Sequence, residues 1–420
     1  RLTQEKAMAK SLSSTHSVLI IGASHAGISM AEQLRKNGFE GRITMLDREA
    51  GMPMERPPLS KAWLVEKPDA DDPRFLMRQA SWFEEFRIDF KPGAEVVSID
   101  APAQTARLAD GAELGWDRLV LATGAIPRPL PIPGGDDPSV FVLRVPGDAA
   151  RLSQALDDAR RLAVVGGGYI GLEVAASARK RGLEVTVLEM APRLLARVAS
   201  AGASAFFHGL HQDHGTTIMT GASVTGISRY GDELHLVTDE GTVMADVVVA
   251  GIGVVPDLAL ADSIGVETGN GYKVNAQYET GHGGVFAIGD VALPDEGYMG
   301  GTMRIESVHH AQMSAEIAAA AMMGNPAKGH EVPWFWSDQY DRKLQSAGIV
   351  PAGAETVSRP GRREGATSFW SFLGDQLKAV EAINDPQAYT IGRMVIEAGL
   401  DLSPDQASDG GFDLKSLMRR

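Results

Sequence analysis

Two glycine-rich runs hold the residues best placed for chemistry. The stronger is Gly166-Gly-Gly-Tyr-Ile-Gly171, set between the apolar run Leu162-Ala-Val-Val165 and a helical pattern from Leu172 to Arg181. In such a turn Gly166 permits the tight passage from strand to helix. Gly168 lets the backbone approach a pyrophosphate, and Gly171 lets the helix pack on the strand. Tyr169 and Ile170 lie in the turn, just ahead of the helix N-terminus, whose free N–H groups and partial positive charge attract phosphate. The next apolar run, Val185-Thr-Val-Leu188, ends at Glu189, and an acid about 20 residues past the turn can hold a ribose diol. A carboxylate there repels a 2′-phosphate, so the pattern favours NADH over NADPH.

The second run, Gly22-Ala-Ser-His-Ala-Gly27, follows Val18-Leu-Ile-Ile21 and precedes a helical pattern from Ile28 to Asn37, ended by Gly38. Ser24 stands where the pattern has its middle glycine, and serine is small enough to fit. Gly22, Ala26 and Gly27 are the candidate phosphate contacts. Ile43-Thr-Met-Leu46 reads as the following strand, with Asp47 as the natural ribose acid and Glu49 as a competitor. Each run sits in a strand–helix–strand unit. Two such units about 140 residues apart predict two dinucleotide-binding domains, not a short-period repeat.

Further elements fill the intervals. Arg118–Gly124 and Ala245–Gly253 read as strands ending in small residues, and Val285–Asp290 as a strand with an acid at its end. Ser307 to Met323 reads as a helix. Trp334 to Gly399 holds short alternating apolar runs, such as Ser368–Leu373 and Gln376–Ile383, which suit a smaller mixed domain. Leu414 to Arg420 reads as a short helix.

Composition narrows the chemistry. The 420 residues are 44% apolar and 22% charged, which suits a folded chain of several domains. The formal charge of −14 argues against general nucleic-acid binding. There is no cysteine, which removes disulfides, thiolate iron–sulfur ligation and a cysteine nucleophile. Electron chemistry therefore falls to a bound organic cofactor or to a metal on nitrogen and oxygen ligands. No run is long and apolar enough for a transmembrane helix, and Arg1 to Ser17 lacks the apolar centre of a signal peptide, so a cytoplasmic setting is expected.

Six runs in order carry a resemblance: Arg56-Pro-Pro-Leu-Ser-Lys61, Arg118-Leu-Val-Leu-Ala-Thr-Gly124, the Gly166–Gly171 turn, Phe286-Ala-Ile-Gly-Asp290, Arg304-Ile-Glu-Ser-Val308 and Pro333-Trp-Phe-Trp-Ser-Asp-Gln-Tyr340. From about Val18 to Gly399 the chain resembles the oxygenase-coupled, FAD-dependent NADH:ferredoxin reductases, those of haem monooxygenases and aromatic-ring dioxygenases. The resemblance implies an α/β, glutathione-reductase-like fold with two Rossmann-type domains and a smaller C-terminal α+β domain. The expected divisions are a split FAD domain (17–115 and 250–328), an NADH domain (116–249) and a C-terminal domain (329–420). It implies Lys61 near the flavin ring, with Arg56 just before it toward the phosphates. Asp290 is implied to meet the ribityl chain, Val308 the ring at a helix start, and Val96 and Arg144 other parts of FAD. Glu173 is implied to face the nicotinamide, with Arg197 and Gly253 along NADH. Trp336 is implied to flank the flavin where the electron acceptor docks. This chain has Leu46-Asp-Arg-Glu49 where the family often has Ile-Gly-Asp-Glu, which leaves the ribose contact open between Asp47 and a neighbour.

The implied reaction moves a hydride from NADH to FAD, with Lys61 opposing the negative charge that arrives. Electrons then leave singly to a small iron–sulfur ferredoxin feeding an oxygenase. Ferredoxins are generally acidic, as is this chain, so a local basic patch must steer docking. Arg304, Arg342, Lys343, Lys415, Arg419 and Arg420 are candidates. The competing reading is an FAD- and NADH-binding redox sensor with slow turnover. NADH oxidase and disulfide reductase activities commonly need a redox cysteine, and a quinone reductase would favour an amphipathic membrane helix that is not evident here. His208, His211 and His214 drift around a helix without an added acidic ligand, and the adjacent His309 and His310 point apart, so no metal site is expected.

Overall fold

The apolar runs become parallel strands because both of their faces are covered, which leaves no polar face to alternate with. In the computed structural model, which describes residues 11–69, 71–295, 297–326 and 329–419, the residues Val18–Ile21 are all buried. They lie at the centre of a five-stranded sheet, in the order Val285–Ala287, Arg118–Leu121, Ser17–Ile21, Arg42–Asp47 and Ile88–Pro92. Every pairing in it is parallel. Ser17–Ile21 has the next strand in sequence on one side and a later strand on the other. That reversal opens a crevice at the carboxyl end of the strand, where such sheets take their ligands. This sheet, the helices His25–Lys36 and Val308–Met322, and a three-stranded antiparallel sheet from Val96 to Gly115 belong to one compact unit, residues 11–55, 71–126 and 255–331.

The second unit comprises residues 56–69, 127–254 and 332–419. Its parallel sheet repeats the plan, in the order Thr217–Thr220, Glu184–Glu189, Arg161–Val165, Val247–Ala250 and Val140–Phe141. Its antiparallel sheet runs Trp334–Gln339, Arg342–Gly348, Gln376–Ile383, Thr367–Leu373 and Glu355–Pro360. The helix Pro386–Ala398 covers one face of it. Gly392 permits that closeness, since a Cβ there would sit 2.5 Å from Val380 Cγ1.

The expected α/β class with two Rossmann-type sheets and a smaller α+β part is what the chain adopts. The two compact units run across the expected divisions. Arg118–Leu121 pairs inside the first sheet, so the chain leaves the first unit after Ile126 and not after Gly115. It returns at Val255 and leaves again after Glu331. Residues 56–69, expected with the first domain, pack in the second unit. Both glycine-turn helices start earlier than the apolar pattern suggests, at His25 and Tyr169, because the last glycine of each turn is already helical. The helices Pro146–Asp158 and Pro386–Ala398 are additions to the expected elements. The expected terminal helix is a 3-10 turn, Leu414–Arg419, and Arg420 lies outside the described residues.

The two glycine turns share one packing rule. Gly22 and Gly166 adopt φ of +107° and +109°, which L side chains rarely take. A Cβ on Gly27 would overlap the Gly22 carbonyl oxygen, and one on Gly171 the Gly166 carbonyl oxygen. Helix therefore meets strand backbone to backbone. Gly27→Ala and Gly171→Ala are each expected to cost about 1–3 kcal/mol through overpacking, read as a lower midpoint in thermal or urea unfolding. Unchanged midpoints would show that the turns relax to admit a methyl group.

Candidate functional site

Each glycine turn is clasped by the acid at the end of the following strand. Asp47 accepts the Ala23 N–H at 2.8 Å on one oxygen and the Glu49 N–H at 2.9 Å on the other. Glu189 accepts the Gly167 N–H at 2.6 Å and the Ala191 N–H at 2.7 Å in the same two-handed way. Asp47 is thus the geometric counterpart of Glu189, while Glu49 supplies only a backbone N–H to it. A carboxylate has about four acceptor sites, so each acid keeps capacity for a ribose diol.

The helix starts are open for an anion. Ser24 and Gly168 are the N-cap residues, and neither helix has a side-chain cap or an acid in its first turn. By contrast Ser200, Ser307, Asp385 and Ser403 each cap their own helix through a side chain. First-turn N–H groups have no intrahelical partner, and at the glycine turns they are left for a ligand. Ser24 does not deform its turn. Its φ of −94° and ψ of −160° are close to the −80° and 174° of Gly168. A Cβ on Gly168 would meet nothing nearer than the Gly251 carbonyl at 4.0 Å. The residues present therefore fit two dinucleotides.

In the first unit, Ala26 lies against Gly289, whose Cβ, if added, would stand 2.9 Å from that of Ala26. This brings the first turn beside the 3-10 turn Gly289–Val291 that carries Asp290. Val96 opens a strand two residues beyond Ala94, whose N–H donates to the Asp47 carbonyl at 2.8 Å. Val308 is the first residue of its helix and is half-buried. The remaining residues expected at FAD, Arg56, Lys61, Arg144 and Trp336, belong to the second unit. There Arg56 donates to the Arg144 carbonyl at 3.0 Å.

The second unit holds a buried polar cluster around Glu173, a residue only 5% exposed. Lys61 Nζ donates to Glu173 Oε2 at 2.7 Å, and Ser60 Oγ donates to the same oxygen at 2.5 Å. Ser337 Oγ donates to Oε1 at 2.6 Å, and Gln339 Nε2 donates to Ser337 Oγ at 3.2 Å. Lys61 also donates to the Pro57 carbonyl at 2.9 Å. A buried carboxylate persists only when paired and hydrogen-bonded, and here both oxygens are served. The cluster joins Ser60 and Lys61, the Gly-turn helix and the strand Trp334–Gln339. Ser60 and Ser337 were not singled out in the sequence, although both lie in the two most specific runs.

Strand alternation sorts that last strand. Phe335, Ser337 and Gln339 face the nucleotide-binding part, where Phe335 lies 4.4 Å from the Tyr169 ring and Gln339 bonds His211 at 2.8 Å. Trp334 and Trp336 take the other face, with ring centroids 5.7 Å apart, and Trp336 is half-buried. Ile170 is 46% exposed. Arg197 is exposed, and its guanidinium reaches to 3.4 Å of where a Cβ on Gly253 would stand.

The histidines have local work. Burial lowers His211 to about 4, so it stays neutral between Gln339 and Tyr340. His214 stacks on the Tyr340 ring at 3.7 Å. His309 pairs with Glu331 at 3.1 Å, while His310 meets the Tyr278 hydroxyl at 3.1 Å and is lowered to about 3 by burial. One member of the expected basic patch is not a surface cation. The Arg304 side chain is 7% exposed and pairs with Glu306 at 2.6 Å. Arg342 pairs with Asp341 at 2.6 Å, whereas Lys343 and Lys415 are exposed. The side chain of Arg419, and Arg420 altogether, lie outside the described residues. Among the described residues no helix is long and apolar enough to cross a membrane.

Residues 16–315 match the family described as pyridine nucleotide-disulphide oxidoreductase, and residues 334–418 match the domain described as reductase C-terminal. Rhodocoxin reductase of Rhodococcus erythropolis is 41% identical over 407 residues, covering 96% of this chain and 95% of that protein. The ferredoxin–NAD(+) reductase component of the anthranilate 1,2-dioxygenase system of Burkholderia cepacia is 37% identical, covering 95% and 98%. The crystal structure of the covalent putidaredoxin reductase–putidaredoxin complex superposes with a TM-score of 0.91 at 34% identity, covering 97% of this chain and 99% of that one. This chain belongs to the pyridine nucleotide-disulphide oxidoreductase family and, within it, to the ferredoxin reductases of oxygenase systems.

Proposed function

We propose that this protein is an NADH-dependent, FAD-containing ferredoxin reductase that delivers single electrons to a small iron–sulfur protein serving an oxygenase. The observation that carries the reading is the pair of uncapped glycine turns, each clasped by an acid, in a chain of this family that has no cysteine. Without a thiol, the chain has no disulfide of its own to reduce. Bound FAD supplies the chemistry that no side chain here can, taking the electron pair of a hydride from NADH and releasing it one electron at a time.

The chain's own residues bind and bias. We assign FAD to the unit with the first turn, where Gly22, Ala26 and Gly27 admit its phosphates and Asp47 its ribose, with Val96, Asp290 and Val308 as further contacts. NADH is assigned to Gly166–Gly171, with Tyr169, Ile170, Arg197 and Gly253 around it and Glu189 on its ribose. The divisions in this scheme are a split FAD domain (17–115 and 250–328), an NADH domain (116–249) and a C-terminal domain (329–420). Arg56 and Arg144 are assigned to FAD. Lys61 would oppose the negative charge that arrives on the flavin, and Glu173, gripped by Ser60 and Ser337, holds that ammonium in one position. No side chain needs to move a proton in the hydride step. Trp336 is assigned to the exit path of the electrons, and exposed Lys343 and Lys415 to a docking patch on an otherwise acidic protein. A cytoplasmic setting, where NADH is regenerated, suits this role.

The direct test is NADH-driven reduction of cytochrome c by the flavin-loaded protein with a panel of ferredoxins. Turnover that requires an added ferredoxin supports the reading, and negligible turnover with every one supports a slow redox sensor instead. Glu189→Ala is expected to narrow the preference for NADH over NADPH by about tenfold or more, through lost ribose bonds and relieved repulsion. An unchanged ratio of kcat/KM values would show that the acid does not select. Trp336→Ala is expected to slow ferredoxin reduction more than it slows flavin reduction by NADH in stopped-flow traces. Equal slowing would reduce Trp336 to packing.

A further inference from the structure

Glu381 is a buried carboxyl to which the functions above give no task. It is 2% exposed and lies on the strand Gln376–Ile383. Its strand partners are Ser346 and Phe369. Val380 faces the covering helix Pro386–Ala398, so Glu381 faces the opposite way, toward the nucleotide-binding part of the same unit. There both of its oxygens accept the Ser200 N–H at 3.2 Å.

Ser200 ends a strap, residues 190–200, that begins immediately after Glu189. The strap is tied at several points. Ala191 donates to Glu189, and the Leu195 N–H donates to the Gly167 carbonyl of the glycine turn at 2.9 Å. Ser204 Oγ donates to the Leu194 carbonyl at 2.6 Å, and Arg193 donates to the carbonyls of Ala196 at 3.1 Å and Ser200 at 3.4 Å. Arg197 lies within this strap, its guanidinium 3.4 Å from where a Cβ on Gly253 would stand. The tie to Glu381 comes from the C-terminal sheet.

We propose that Glu381 is a proton-linked positioning residue for the pyridine nucleotide: as a carboxylate it grips the Ser200 N–H and fixes the strap that carries Arg197. The proposal rests on the assignment of NADH to the Gly166–Gly171 turn. Burial raises the Glu381 carboxyl to about 7, against the opposing pull of the Ser200 bonds and of Arg193. Tyr169 and His211 hold their charge states around neutrality. Tyr169 on the glycine-turn helix is pushed well above its ordinary value, first by burial and then by Glu381 and Glu173. His211, on the helix that Ser200 caps, is lowered to about 4, with His208 and His214 acting on it. Arg193 is permanently charged.

The sign follows. Because its folded value is raised, Glu381 favours the folded state while protonated, and that contribution is lost as pH rises from about 4.5 to about 7. Above about 7 the same ionisation converts a neutral bond to Ser200 into a charge-assisted one, so the nucleotide should bind more tightly there.

The test is calorimetric titration of NAD+ into the flavin-loaded full chain from pH 6 to pH 8, with thermal midpoints measured alongside. Kd of the unmodified protein is expected to fall about fivefold across the range, the order set by a charge-assisted bond replacing a neutral one. Glu381→Gln is expected to flatten that curve near its low-pH value and to raise the midpoint at pH 8. In steady state it should move KM for NADH more than kcat. Glu381→Asp, should the Gln variant not fold, is expected to weaken binding yet keep an inflection. A retained inflection in Glu381→Gln, or a flat curve in the unmodified protein, would overturn the proposal. Glu189→Ala separates the two failures. If it shifts the NADH/NADPH ratio while Glu381→Gln changes nothing, only the role of Glu381 falls. If it leaves the ratio unchanged, the underlying NADH assignment falls as well.

Discussion

The contact of backbone with backbone at the two glycine turns is the constraint on which the rest depends. Helix and strand meet so closely at Gly22–Gly27 and at Gly166–Gly171 that a single methyl group would strike a carbonyl oxygen. That closeness aims the first turn of each helix at the carboxyl end of its sheet, where the strand order reverses. It also brings the next strand's terminal acid within reach of the turn, so Asp47 and Glu189 can each bridge two N–H groups. One geometric requirement thus sets open N–H groups beside a carboxylate, twice in one chain, and these are the proposed phosphate and ribose sites.

A second layer of order comes from the antiparallel sheet of the second unit. One of its faces reaches the nucleotide-binding part through Phe335 on Tyr169, Ser337 on Glu173, Gln339 on His211 and Glu381 on Ser200. These contacts are mostly polar and buried. A buried ion pair such as Lys61–Glu173 is not strong evidence of stability, because desolvation offsets much of the attraction. Its effect is specificity. With both oxygens of Glu173 occupied, the ammonium of Lys61 has one favoured position.

Much of this was legible in the sequence where chemistry and local pattern agree. The strands before each turn read as continuous apolar runs because they are buried on both faces, and the acids at Asp47 and Glu189 followed from spacing. Asp47 and Glu49 look alike in sequence, and only the side-chain bonds distinguish an acid that clasps the turn from one that lends a backbone N–H. Ser24 looked like a departure, yet the middle position adopts a conformation open to any residue. Arg304 reads as a surface cation, but its buried side chain pairs with Glu306 two residues away and donates to the Asp290 carbonyl, a partner that no local pattern encodes. The compact units cross the expected divisions for a related reason. Arg118–Leu121 joins the first sheet through partners far away in sequence, and residues 56–69 join the second unit through Ser60 and Lys61 on Glu173. Glu381 carried no sequence signal, because a lone acid in an apolar strand shows its purpose only when its partner across the fold is known.

The central claim is that electrons enter in pairs and leave singly. The most direct measurement is anaerobic stoichiometry: NADH consumed against ferredoxin reduced, by the flavin-loaded protein with its best one-electron acceptor. The account predicts two ferredoxins reduced per NADH, with the yellow flavin absorbance of the purified protein bleached when NADH is added alone. A colourless protein, or NADH consumed with no ferredoxin reduced, would contradict it.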